Sequence, residues 1–214
     1  FEALDFLGRR YDVDAVFDIP EHAKVTATYW QQQGARFQAG ARPAVRFPIP
    51  PGTRASLIVP LKDRADLLKQ LVHSLHAQAP GVDWELICLS NNSTEVETFR
   101  TLNALAGPQV QLFEVNQPFN WSALNNVGAR HARGQVLVFL NNDVEFTQAG
   151  WLEALVGHAL QPEVGPVGAH LLYPDGRLPQ AGVVVGMKGL AGHVYRRFRP
   201  ESDETPFIAP RFSH

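Results

Sequence analysis

Short apolar runs alternate with stretches of helical periodicity from Ser56 to Leu160. Residues 57–59 are wholly apolar, which predicts a buried strand. Apolar residues then recur every three or four positions, which predicts a helix with Asp63 as its N-cap. The same reasoning predicts strands over 85–89, 110–115 and 135–140 and helices over 94–105, 122–132 and 148–160. Alternation of this kind is typical of βα units, so the predicted fold class is α/β, a Rossmann-like, mostly parallel sheet flanked by helices.

A second pattern follows the last predicted helix. Residues 164–173 and 178–185 have the composition of extended segments, and Pro174-Asp175-Gly176 lies between them. Asp-Gly is a strong signal for a tight turn between antiparallel strands. The sequence therefore predicts a β-hairpin after the parallel part of the sheet.

The beginning of the chain differs from the rest. Residues 1–41 show helical spacing and no candidate chemistry, so they are predicted to form a small helical appendage. Residues 42–52 contain four prolines, which favour extended backbone and predict a linker or an edge strand. The main domain is then expected over 53–214.

Composition narrows the classes of function. The formal charge of -2 argues against a nucleic-acid partner. The single cysteine, Cys88, cannot form an internal disulfide and is expected to pack in the core, consistent with a reducing compartment. No run approaches the roughly 20 apolar residues of a membrane-spanning helix. The chain starts at Phe1 rather than Met and stops at His214 without a closing element, so we expect a piece of a longer protein.

Polar clusters follow the four predicted parallel strands. Taken singly, each cluster is what helix caps and turns require. Ligands of open α/β sheets bind outside the carboxyl ends of the strands, so we expect all four clusters to converge on one crevice. The clusters are 62–64, 90–93, 116–120 and 141–143.

Asn141-Asn142-Asp143 is the most informative cluster. The apolar strand predicted over 135–140 ends just before it, which places the carboxylate of Asp143 at the crevice. Mg²⁺ and Mn²⁺ suit such a position, since one or two carboxylates suffice when water and phosphate oxygens complete the coordination shell. A metal held there would stabilise negative charge on a departing diphosphate.

These pieces together resemble family 2 glycosyltransferases of the GT-A fold. The resemblance rests on the strand at 57–60, the turn at 90–93, FNWSALNNVGARHARG at 119–134 and LNNDVE at 140–145. The segment HLLYPDGRLPQAGVVVG at 170–186 resembles a branch of that family joined to larger bacterial surface-polysaccharide proteins. The resemblance covers about residues 45–214.

The resemblance implies roles for individual residues. The Asp-x-Asp motif of the family maps onto Asn141, Asn142 and Asp143, so Asp143 would meet Mn²⁺ or Mg²⁺, while the first Asp is absent. Ser90 stands where the family often has an Asp that contacts the base or ribose. Ser122 could equally be a helix N-cap, and Asn126 could equally be an amide that packs the helix, rather than contacts to the donor. The implied donor-binding residues besides the motif are Pro60, Leu61, Asp63, Arg64, Asn91, Asn92, Asn120, Ser122 and Asn126.

The implied reaction is transfer of a sugar from a UDP- or dTDP-linked donor to a glycan or lipid-linked acceptor. The implied setting is the cytoplasm, with peripheral attachment of the parent protein at the inner membrane face as an option.

An inverting transfer needs a carboxylate base, which is expected beyond His214; Glu145 is expected to face solvent. One alternative is a noncatalytic nucleotide-sugar-binding module. Another, a nucleotidyltransferase, would carry a Gly-rich loop that Leu61–Arg64 lacks.

Overall fold

A computed structural model describes residues 16–18, 44–78, 80–162, 164–169, 171–179, 183–185, 191–193, 197 and 199. It has two compact units, one formed by Ile49–Leu160 and one by Phe1–Pro48 with Gln161–His214. The domain bounds expected from the sequence stay a prediction. The described elements are β1 (Val16–Asp18), β2 (Ala44–Arg46), β3 (Arg54–Leu61), α1 (Ala65–Ala77), β4 (Asp83–Ser90), α2 (Val96–Leu105), β5 (Val110–Glu114), α3 (Trp121–His131), β6 (Val136–Phe139), α4 (Trp151–Ala159), β7 (Val183–Val185) and β8 (Ala191–His193).

A four-stranded parallel sheet is the centre of the Ile49–Leu160 unit. Its order is β5-β4-β3-β6, so β3 pairs with both β4 and β6. All four strands end at the same edge because they are parallel. The α/β prediction with a mostly parallel sheet is confirmed, and each predicted strand lies within three residues of the observed one.

Both faces of the two central strands, β3 and β4, are buried, which explains why these strands are apolar runs rather than alternating ones. Leu57 and Val59 pack on one face among residues of α1, α2 and α4. Ile58 and Leu89 pack on the other face against α3. Burial raises the pKa of Cys88 to about 12, so its thiol stays protonated and fills the core as expected.

Gly128 lets α3 lie close against the sheet. A Cβ added at Gly128 would stand 2.4 Å from Ile58 Cγ2 and 3.1 Å from Leu89 Cδ1, well inside normal contact distance. Any side chain there would displace α3, and overpacking of this kind typically costs about 1–3 kcal/mol. This contact fixes the position of the helix whose first residues reach the carboxyl edge of the sheet.

A buried carboxylate ties the strands together at the opposite, amino edge. Glu85 of β4 is 2% exposed and accepts hydrogen bonds from Ser56 Oγ at 2.7 Å, Gln111 Nε2 at 2.8 Å and the Arg133 amide at 2.6 Å. Ser56 Oγ in turn accepts the Gly134 amide at 2.9 Å. Burial by itself would raise the pKa of Glu85, but these donors hold it below its ordinary value.

The helix starts differ from the prediction. Asp63 is not the N-cap of α1: the N-cap is Arg64, whose side chain makes no capping hydrogen bond. Asp63 instead binds a segment of chain about 30 residues away, as described below. Helices α2 and α4 begin at Val96 and Trp151, two and three residues later than predicted.

The unit that contains Gln161–His214 differs from the predicted β-hairpin in its strand pairing. The turn forms as expected, since the Tyr173 amide donates to Arg177 O at 2.7 Å and Gly176 has φ 78°. However, residues 164–169 and 171–179 contain no strand, and the antiparallel pair joins β7 to β8 instead. Pro179, two residues after the turn, lacks the amide hydrogen that a ladder needs.

Two short strands, β1 and β2, lie in the regions predicted as the helical appendage and the linker. β1 lies inside the region predicted as helical, and it pairs antiparallel with β2 inside the predicted linker or edge strand. The predicted helical stretches around β1 lie outside the described residues.

We expect Glu85→Gln to lower the free energy of unfolding by about 2 kcal/mol at neutral pH, because neutral bonds replace charge-assisted ones in a buried site. Since the folded pKa of Glu85 is lowered, its stabilisation is present above the unfolded pKa of about 4.3 and is lost as pH falls through the folded value. Urea unfolding from pH 7 to pH 3 should show the two proteins converging at low pH. Glu97→Gln, which alters an exposed ion pair with Lys69, is the control and should change stability little. A constant difference across this pH range would contradict the prediction.

Candidate functional site

The first and second polar clusters are joined by Asp63. Its Oδ1 accepts the amides of Thr94 at 2.7 Å and Glu95 at 2.8 Å, while its own amide donates to Ser93 Oγ at 3.1 Å. The turn after β3 is thereby fastened to the turn after β4. Asp63 and Arg64 have φ values of 53° and 57°, a left-handed conformation that costs energy in non-glycine residues, and these bonds offset that cost.

The electrostatics of Asp63 follow from this geometry. The Glu95 and Thr94 amides stabilise the ionised carboxylate and hold the pKa of Asp63 below its ordinary value. Arg64 points its guanidinium at Asp66, with an Nη2–Oδ2 distance of 2.8 Å. Asp63 is thus engaged in positioning the turn at 93–95, whereas the side chain of Arg64 lies at the surface.

Asn91 and Asn92 join the second cluster to the third. Asn91 is buried, and its Oδ1 accepts the Gln117 amide at 3.2 Å. Asn92 Nδ2 donates to Gln117 O at 2.8 Å from a residue with φ 54°. Gln117 Nε2 is buried and has no hydrogen-bond partner among the described residues.

The start of α3 joins the third cluster to the fourth. Asn120 is the N-cap of α3 and accepts the Ala123 amide at 2.9 Å. The next residue, Trp121, donates from Nε1 to Asn141 Oδ1 at 3.3 Å. Its ring also meets that of Phe139 edge-on, with centroids 6.2 Å apart. The four clusters therefore lie along the carboxyl edge of the sheet, and hydrogen bonds connect each cluster to the next.

Asp143 is the carboxylate of the fourth cluster, and it is exposed. In the described part of the chain, no group of three or more His, Cys, Asp and Glu side chains could hold a metal ion. Glu145 is exposed, and its Oε2 accepts a hydrogen bond from Gln70 Nε2 of α1 at 2.7 Å.

The remaining predicted residues take different positions. Pro60 and Leu61 end β3, and Leu61 O accepts the Asn91 amide at 2.9 Å. Ser122 and Asn126 are exposed on α3. The packing amide is Asn125, which is buried and donates to Trp121 O at 2.9 Å, so that alternative for Asn126 is wrong. Contact of any of these residues with a donor stays a prediction.

Sequence reasoning missed Gln117 and Trp121. Both lie inside segments that it had singled out, but their roles depend on partners about 25 and 20 residues away. The sequence placed Trp121 just before the predicted helix and gave no signal for its partner. Trp121 is 44% exposed.

Sequence comparison decides the family. The family model described as "Glycosyl transferase family 2" matches residues 56–209, which is more than half of the chain. The chain belongs to glycosyl transferase family 2. The predicted family and the prediction of a glycosyltransferase are confirmed.

Two relatives are much longer than this glycosyltransferase domain. The "O-antigen biosynthesis protein RfbC" of Myxococcus xanthus is 47% identical over 163 residues, which are 76% of this chain and 13% of the relative. The "Uncharacterized protein y4gI" of Sinorhizobium fredii is 37% identical over 171 residues, 74% of this chain and 19% of the relative. The chain thus spans less than a fifth of the length of either relative.

A solved structure similar to this domain is the mannosyltransferase PcManGT from Pyrobaculum calidifontis, in complex with GDP-Man and Mn²⁺. It is 24% identical with a TM-score of 0.48, over 57% of this chain and 36% of that one. Among the described residues, none of the helices is long and apolar enough to cross a membrane.

We expect Asp63→Asn to lower the melting temperature in the absence of any nucleotide, because a neutral amide oxygen binds the two amides at 94 and 95 more weakly. Asn tolerates the left-handed conformation at this position, so the substitution tests the charge rather than the backbone. The lowered pKa of Asp63 makes its stabilisation present above the ordinary value of about 3.9 and lost as pH falls below it.

Thermal melts at pH 7 and pH 3 check this expectation. The melting temperatures of the two proteins should differ at pH 7 and approach each other at pH 3. Asp143→Asn is the control, since it removes the same charge from an exposed position and should leave the melting temperature unchanged. Equal melting temperatures for Asp63→Asn and the parent at pH 7 would contradict the assigned role.

Proposed function

We propose that this domain binds a UDP- or dTDP-linked sugar at the carboxyl edge of its sheet and transfers the sugar to a glycan or lipid-linked acceptor. The observation that carries the proposal is the row of hydrogen bonds from Asp63 through Gln117 to Trp121 and Asn141, which joins four strand ends into one surface. Identity of 47% to an O-antigen biosynthesis protein supports a role in making a bacterial surface polysaccharide.

The base and ribose are assigned to the first two clusters. Asn91 and Asn92 hold the turn after β4 in shape, and Ser90 Oγ donates to Ser93 Oγ at 2.8 Å. Ser90 is 4% exposed and lacks the negative charge of the Asp that the family often has there. The hydroxyls and amides of the second cluster suit the donor and acceptor edge of uracil or thymine.

The diphosphate is assigned to the start of α3 and to Asp143. The first amides of a helix have no partners within the helix, and together with the helix dipole they favour an anion. Asn120 uses only the amide of Ala123, which leaves those of Trp121 and Ser122 at the N-terminal end. The crevice thus offers positive potential between the third and fourth clusters.

A divalent ion fits this site only together with the nucleotide. Asp143 would hold it, and Mg²⁺ or Mn²⁺ can complete a shell from phosphate oxygens and water when one carboxylate is available. When bound, the ion supplies charge neutralisation for the departing diphosphate. The domain's own residues orient the donor and hold its base, ribose and phosphates.

The acceptor hydroxyl needs a carboxylate to take its proton in an inverting transfer. Glu145 lies two residues from Asp143, but it is engaged by Gln70 of α1. We therefore assign the base to an acidic group outside the described residues. This assignment makes donor binding, rather than turnover, the direct test of the described site.

We expect UDP or dTDP to bind the 214-residue chain more tightly with Mn²⁺ than with EDTA, because Asp143 and the diphosphate complete each other's coordination of the ion. Isothermal titration calorimetry with each nucleotide, with and without Mn²⁺, measures the difference. The reciprocal titration of Mn²⁺ should show the same coupling, since linkage is symmetric. Equal nucleotide affinity under both conditions would overturn the metal assignment, and no affinity for either nucleotide would overturn the proposed function.

We expect Asp143→Asn to lower the Mn²⁺-dependent affinity for nucleotide at least tenfold, about 1.4 kcal/mol, because it removes the only carboxylate of the motif. Affinity in EDTA should not fall. The matched control is Glu145→Gln, which removes the same charge two residues along and should keep the Mn²⁺ dependence. Loss of the dependence in Glu145→Gln but not in Asp143→Asn would move the metal site to Glu145.

A further inference from the structure

Trp121 and Phe139 form an exposed aromatic pair beside the metal motif. Trp121 is 44% exposed and Phe139 is 46% exposed, so neither ring is there mainly to fill the core. The backbone of Trp121 is fixed by α3, where Asn125 Nδ2 donates to its carbonyl at 2.9 Å. Close packing at Gly128 in turn fixes α3 on the sheet. The indole is therefore held on a rigid support at the carboxyl edge.

The indole determines which way the Asn141 side chain points. An indole N–H is a donor and offers no acceptor, so it can pair only with the oxygen of the Asn141 amide. The observed bond runs from Trp121 Nε1 to Asn141 Oδ1 at 3.3 Å. A reversed amide would set two donors against each other. In the described part of the chain Asn141 Nδ2 donates to no other residue, so its two hydrogens remain available.

We propose that Trp121 is a positioning residue that fixes the Asn141 amide so that Nδ2 donates to an oxygen of the bound nucleotide sugar. The first position of the Asn-Asn-Asp motif then acts as a neutral hydrogen-bond donor rather than as a metal ligand. This inference rests on the proposed function, because it assigns a role within the same donor site.

The chemistry of the motif favours a donor at this position. A diphosphate carries negative charge, and its oxygens are acceptors, which an amide N–H binds and an ionised carboxylate does not. A sugar hydroxyl can pair with either group. The indole bond also occupies part of Asn141 Oδ1, the atom that a metal would need. Asp143 is thereby left as the carboxylate of the motif, in agreement with the lack of any three-ligand group among the described side chains.

A double-mutant cycle tests the inference. The 214-residue chain, Trp121→Phe, Asn141→Ala and the double variant are titrated with UDP and with dTDP in the presence of Mn²⁺. Trp121→Phe keeps an aromatic ring against Phe139 but removes the N–H. Each single variant should lower affinity about threefold to tenfold, the usual effect of one hydrogen bond. The double variant should bind no more weakly than Asn141→Ala, because Trp121 acts through Asn141.

Two further variants separate positioning from a structural role. Leu137→Ala removes an exposed apolar side chain on the face of β6 that carries Phe139, and it should leave nucleotide affinity unchanged. Asn141→Asp still accepts the indole N–H but has no N–H to donate, so it should bind UDP with Mn²⁺ more weakly than the parent. Melting temperatures of Trp121→Phe and Asn141→Ala should stay near that of the parent.

Distinct results overturn the two proposals. If the parent binds neither nucleotide, the proposed function and this inference fall together. If the parent binds but Trp121→Phe binds equally well, or if the losses in the double variant add, only the role of Trp121 is wrong. If Asn141→Asp binds nucleotide with Mn²⁺ as tightly as the parent or more tightly, the first motif position is a metal ligand and the inference is overturned.

Discussion

The buried carboxylate of Glu85 is the interaction on which the arrangement of the sheet depends. It lies where β3, β4 and β5 begin, and it gathers donors from Ser56, Gln111 and the amide of Arg133. A charge this deeply buried is tolerated only when its oxygens are fully paired, so each donor must stay in place. The connection from α3 into β6 is fastened by the same group. The relative positions of the strands are thereby set at the edge away from the site.

Because the strands are held together at the amino edge of the sheet, their polar ends lie together at its carboxyl edge. There the turns adopt conformations that the backbone alone disfavours, with positive φ at Asp63, Arg64 and Asn92. Such residues cost on the order of 1 kcal/mol each and persist only where surrounding contacts hold them. The bonds to the amides at 94 and 95 and to Gln117 are those contacts. The surface is therefore shaped before any ligand arrives, which favours binding because less order has to be created.

The motif of this glycosyltransferase combines one carboxylate with two amides. Asp143 is exposed, and the indole of Trp121 holds the amide of Asn141. In the proposed donor site, one negative charge would repel a diphosphate less than two would. Amides and the start of α3 would add neutral donors. Under this proposal, the metal ion binds together with the nucleotide.

The sequence by itself determined the α/β class, the order of strands and helices, and the four polar clusters at one edge. These are consequences of local periodicity and of the rule that parallel strands end together. Only the tertiary structure decided which atoms meet: Asp63 with the amides at 94 and 95, Trp121 with Asn141, and β7 with β8 in place of the predicted hairpin. A polar residue after a strand looks the same in sequence whether it caps its own helix or binds a turn about 30 residues away. The choice depends on the distance and direction of partners, which the packing of α3 and the pairing of the strands fix.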